Sequence, residues 1–71
     1  MFKIGDIIEL TKDIMIYDKG LICQVVGIDE DNSNYGYVKI LKYADGKGST
    51  GQRKHANLTL FKLVRRKGFY V

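Results

Sequence analysis

The chain has no proline and no tryptophan, and only one cysteine and one histidine in 71 residues. A single cysteine, Cys23, excludes an internal disulfide and a cysteine-based metal site. Small secreted domains ordinarily need several bridges, so the expected compartment is the reducing cytoplasm. His55 is far from Cys23 in sequence, and Cys23 sits in an apolar stretch, so no Cys–His dyad is suggested. The acids fall mostly in polar stretches, with no paired carboxylate on an apolar strand whose pKa would be raised for proton transfer. Gly46-Lys47-Gly48-Ser49-Thr50-Gly51 has glycines but not the spacing of a phosphate-cradling loop. Asp29-Glu30-Asp31 has the Asp-x-Asp start of a calcium loop, but its sixth position is Asn34 and its twelfth is Ile40, where glycine and glutamate are needed. No apolar run approaches the roughly 20 residues of a membrane-spanning helix, and Met1 is not followed by a basic region and an apolar leader. The expectation is a non-enzymatic protein with no cofactor, no metal and no membrane span.

What is present suits a folded domain. The apolar fraction is 45% and the charged fraction 28%, ordinary for a globular chain. A single domain over residues 1–71 is expected. A chain of this length buries only roughly 60% of its unfolded surface, so its core is small. The formal net charge is +4, and it is unevenly placed. Residues 1–34 hold three lysines against seven acids, a net of −4, whereas residues 35–71 hold nine Lys or Arg against Asp45 alone, a net of +8. That asymmetry predicts one basic and one acidic face, and basic faces commonly meet polyanions. A folded barrel can also bring both halves together and leave each charge merely solvated.

Hydrophobic alternation and turn residues divide the chain into five short strands. Phe2 to Thr11 is the first, with Ile8 and Leu10 on one face and Ile7 and Glu9 on the other. Gly20 to about Asp29 is the second, with Ile22, Val25 and Ile28 in the core, Cys23 a buried and unreactive thiol, and a bend at Gly27. Tyr35 to Tyr43 is the third: Val38 and Ile40 face one way, Tyr37, Lys39, Leu41 and Tyr43 the other. Ser49 to His55 reads as an edge strand protected by charge. Ala56-Asn57 reads as a bend of 3₁₀ type, Leu58 to Val64 as the last strand, and residues 65–71 as a basic and aromatic tail. The expected fold is all-β: a single small SH3-like barrel of about five antiparallel strands.

Phe2-Lys3-Ile4-Gly5-Asp6-Ile7-Ile8-Glu9-Leu10, followed by Tyr17-Asp18-Lys19-Gly20-Leu21-Ile22-Cys23-Gln24-Val25-Val26-Gly27-Ile28, resembles the start of a KOW-type SH3-like barrel. Such barrels occur in ribosomal proteins and NusG-type transcription factors. There a Gly-Asp pair precedes the first strand, a loop follows, and a glycine opens a strand with apolar residues at alternating and slightly bulged positions. Gly20, Ile22 and Val25 match, while Cys23 stands where the motif usually has its second glycine. The resemblance covers residues 2–28 and implies the barrel, which supports many unrelated tasks.

Two partners suit the residues. The basic half interleaves cations with aromatics, as proteins do that stack bases on rings and track phosphates with Lys and Arg. For nucleic acid, RNA or DNA, the candidates are Tyr37, Lys39, Lys42, Tyr43, Arg53, Lys54, Arg65, Arg66 and Lys67. The same tyrosines can equally cover the barrel with their hydroxyls in water. The alternative is a protein-interaction module, such as a small accessory or virus-encoded protein that binds a larger enzyme or transcription or translation complex. Its candidates are Ile14, Met15, Ile16 and Tyr17, with Phe69 and Tyr70. Those four consecutive apolar residues in a polar-flanked loop either close one end of the barrel or form a binding patch.

Overall fold

The computed structural model describes residues 2–66, so the expectations for Lys67, Phe69 and Tyr70 lie outside the described residues. Strands β1 (Ile7–Leu10), β2 (Ile22–Ile28), β3 (Tyr35–Lys42) and β4 (Arg53–Asn57) lead through a 3₁₀ turn (Leu58–Leu60) into β5 (Phe61–Arg65). They form one antiparallel sheet in the order β4-β3-β2-β1-β5. The all-β expectation holds. β4 and β5 are the two edges and do not pair with each other, so the sheet is open where a closed barrel was expected. The reason is visible on β4. Its residues facing the core side are Lys54, opposite Val38, and Ala56, opposite Gly36, and they offer little apolar surface to draw the far edge in.

Several boundaries differ from the sequence reading, the larger differences for local reasons. The first strand begins at Ile7, not Phe2, because Gly5 adopts φ +98° and the Asp6 carboxylate accepts the Lys3 N–H at 2.8 Å, closing a turn. The fourth strand is Arg53–Asn57 and not Ser49 to His55. There Gly51 adopts φ +89°, and its N–H donates to Ser49 Oγ at 3.1 Å. Ala56 and Asn57 remain extended, and the 3₁₀ turn starts one residue later. Asn57 Oδ1 caps it by accepting the Thr59 N–H at 3.1 Å, so the last strand begins at Phe61 and not at Leu58.

The core is Ile8, Leu10, Leu21, Cys23, Val25, Val38, Ile40 and Leu58. Ile8 with Leu10, and Val38 with Ile40, confirm the alternation expected of β1 and β3. On β2 the phase differs at one place. Leu21, Cys23 and Val25 face inward, and Ile22, expected in the core, lies between them on the other face. A register shift between Val25 and Gly27 then inserts Val26 as an extra residue against β3. The bulge returns Ile28 to the inner side, where it packs against the core as expected. Opposite Ile28 stands Gly36. A Cβ there would overlap the Gly27 carbonyl oxygen and crowd the Ile28 backbone, so only glycine admits this approach. Gly36→Ala is expected to destabilise the fold by about 2 kcal/mol, read from urea unfolding. Gly27→Ala costs less, because its Cβ would meet the Tyr37 ring at an ordinary 3.6 Å.

Burial pushes the Cys23 thiol up from its ordinary 9.0 to about 12. The unfolded chain therefore gives up this proton at lower pH than the folded one does. Cys23 contributes stability fully below pH 9.0, and that contribution falls as pH rises toward about 12. The Cys23→Ala variant is expected to lose this part of the alkaline decline in a pH series of urea melts. In the native protein a thiol reagent at pH 8 is expected to react only at the rate of unfolding.

Candidate nucleic-acid interface

The face of the sheet turned away from the core carries the candidate site. Alternation along β3 places Tyr35, Tyr37 and Lys39 outward, and pairing sets Tyr37 opposite His55 and Lys39 opposite Arg53. His55 is flanked by both rings. Its centroid is 4.9 Å from Tyr37 in an edge-on arrangement and 6.0 Å from Tyr35, nearly parallel at 12°. Nε2 of His55 lies 2.8 Å from Asp29 Oδ2, just past the end of β2, which fixes the imidazole between the tyrosines. Tyr37 remains 51% exposed and Tyr35 37%, so ring surface stays open for stacking.

Register extends this site across all five strands. Arg53 is opposite Lys39, Lys39 opposite Gln24, Gln24 opposite Ile7, and Ile7 opposite Arg65. One rung of the outer face thus carries a cation at each edge and a third between them, with no acid. At the ordinary spacing of paired strands it is about 19 Å long. A second rung runs Lys42, Ile22, Glu9, Lys62. Gly51 helps to seat Lys39: a Cβ on that glycine would stand 3.0 Å from Lys39 Cε.

The residues expected from sequence are therefore sorted. Tyr37, Lys39, Arg53 and Arg65 share the outer face, and Lys42 lies at the hairpin end of β3. Tyr43 does not join them, contrary to its expected place beside Tyr37. β3 ends at Lys42, and in the turn that follows the Tyr43 N–H donates to the Lys47 carbonyl at 2.8 Å. Its ring packs against the core. Lys54 faces the inner side. Arg66 Nη1 lies 3.8 Å from Oδ2 of the fully buried Asp6, an ion pair that ties the end of β5 to the turn before β1. Gln24 and Lys62 join the outer face through strand register alone, and nothing in the linear sequence signals them.

The apolar loop divides in two. Ile14 and Tyr17 exchange backbone hydrogen bonds of 2.8 Å each way, and both pack against the core, closing part of one end of the sheet. Met15 and Ile16 form the tip, 95% and 85% exposed. Met15 has φ +53°, a left-handed conformation unusual for a residue with a long side chain.

No protein-family model matches the chain, and neither does any curated protein or solved structure. Among the described residues, no helix is long and apolar enough to cross a membrane, and no group of three or more His, Cys, Asp or Glu is placed to hold a metal ion.

Asp6 gives this site a direct test of its framework. Asp6→Ala leaves Arg66 and the Lys3 N–H without their buried acceptor, and is expected to cost on the order of 3 kcal/mol in urea unfolding. Arg66→Ala is expected to cost less, because the Lys3 N–H bond to Asp6 survives.

Proposed function

We propose that this chain is a non-enzymatic module of SH3-like architecture that binds single-stranded nucleic acid across the outer face of its sheet. The strand order β4-β3-β2-β1-β5, the eleven-residue loop 11–21 between β1 and β2, and the 3₁₀ link between β4 and β5 support that architecture. They agree with the KOW-like start of the sequence. The observation that carries the binding reading is the rung Arg53, Lys39, Gln24, Ile7, Arg65 beside the exposed Tyr37 and Tyr35. Cations in a row neutralise a phosphate backbone, and open rings next to them stack bases without regard to sequence. Asp29, Glu30 and Asp31 lie beyond the Tyr35 end of β3, so a bound strand crosses the sheet and turns away from that loop. The buried free thiol of Cys23 suits a reducing cytoplasm.

Fluorescence anisotropy with labelled oligo-dT and oligo-rU at low salt tests the reading. Tyr37→Ala is expected to weaken binding about tenfold, within the range for loss of one stacked base. Arg53→Ala is expected to reduce the slope of log K against log salt by about 0.7. If neither oligonucleotide binds at low salt, or neither substitution has an effect, the reading is wrong.

A further inference from the structure

The inner side of the sheet has an opening that nucleic-acid binding does not use. A cavity of about 220 Å³ lies between β4 and the loop 11–21. Val38 and Ile40 form its floor, Ile14 and Tyr17 one wall, and Lys54 and Ala56 the other. The volume falls below the roughly 300 to 1,000 Å³ of sites that take whole small molecules, and it suits a single aliphatic side chain. Lys54 and His55 line it, and no acid does. The wall with Lys54 is β4, whose second edge has no strand beside it among the described residues. Along that edge run Arg53, Lys54 and His55, the last held at 2.8 Å by Asp29. Across the cavity stands the Met15 tip, apolar, 95% exposed and in a left-handed conformation. Unfavourable backbone geometry of this kind collects at binding loops.

We propose that β4 accepts an extended segment of a partner protein as an added strand, seating one aliphatic side chain in this cavity and setting carboxylates against Arg53 on the outer face. Strand addition supplies main-chain hydrogen bonds, and alternate side chains supply specificity. Lys54 and Ala56 are the β4 residues facing inward. A strand laid beside them therefore drops every second side chain toward the cavity and turns the others toward the cations of the outer face. Aliphatic and acidic residues in alternation are the chemistry that fits. Self-pairing through β4 would bring Arg53 and Lys54 of two copies together, which the charges oppose. A nucleic acid has no aliphatic group for the cavity.

The test is an NMR titration of the ¹⁵N-labelled full chain with a short capped peptide of alternating leucine and glutamate. Capped leucine–lysine and all-glutamate peptides serve as controls. Saturable shifts are expected at the amides of Ile14, Tyr17, Lys54 and Ala56 with the leucine–glutamate peptide alone. Ala56→Phe, which fills the cavity, and Arg53→Glu are each expected to weaken that binding by about tenfold or more, equivalent to about 1.4 kcal/mol. Arg53 is exposed, so Arg53→Glu decides the matter if Ala56→Phe does not fold. No saturable shift, equal binding of the leucine–lysine peptide, or shifts confined to the outer face would each overturn the proposal. So would self-association of the unliganded protein that Arg53→Glu alters, since the occupant would then be a second copy.

Discussion

The close backbone contact between Gly27 on β2 and Gly36 on β3 is the constraint on which the rest depends. Because Gly36 has no Cβ, the Gly27 carbonyl can lie against it, and the extra residue Val26 is absorbed as a bulge. That bulge fixes which side chains face which way. Before it, Cys23 and Val25 fill the core; after it, Ile28 returns to the inner side and Tyr37, opposite Gly27, faces out. Pairing of β3 with β4 then places His55 beside Tyr37 and Arg53 beside Lys39. One close approach between two glycines thus sets both the core and the aromatic and cationic face, since a slip of one residue would exchange them.

The two faces are specialised by the same alternation. Outward positions collect Tyr35, Tyr37, Lys39, Arg53 and Arg65, while inward positions collect the aliphatics and, on β4, Lys54 and Ala56. The charge asymmetry along the chain is partly undone by folding. The acidic first half contributes Gln24 and Ile7, both uncharged, to the principal rung, and its one acid in the neighbouring rung, Glu9, is opposite Lys62. Asp6, another acid of that half, is buried against Arg66. The acidity of residues 1–34 therefore bears on the outer face chiefly through the loop that begins at Asp29, which sits at the aromatic end.

Much of the sheet was legible in the sequence. Strict alternation in Ile7–Leu10 and in residues 35–41 identifies their buried faces, and glycine-rich punctuation separates the strands. Ile22 lies outside the core because a period of two holds only up to the bulge at Val26, and no single phase puts Ile22, Val25 and Ile28 on one face. The end of the fourth strand was misread because it contains no large apolar residue, so its limits are set by Gly51 and by the Asn57 cap. Closure of the barrel was not legible either, since it depends on whether the two edges meet and not on any strand's own pattern. Of the candidate site, the residue types were visible but their grouping was not. Register alone separates Lys54 from Arg53 and draws in Gln24 and Lys62, and the turn after β3 lays Tyr43 against the core.

The central claim is that the outer face, and not the inner opening, receives the nucleic acid. The most direct measurement is a map of amide shifts in the ¹⁵N-labelled chain on titration with oligo-dT at low salt. The account predicts saturable shifts grouped at Arg53, Lys39, Gln24, Ile7 and Arg65, with Tyr37 and His55. Shifts centred on Ile14 to Tyr17 and Ala56, or none at all, would contradict it.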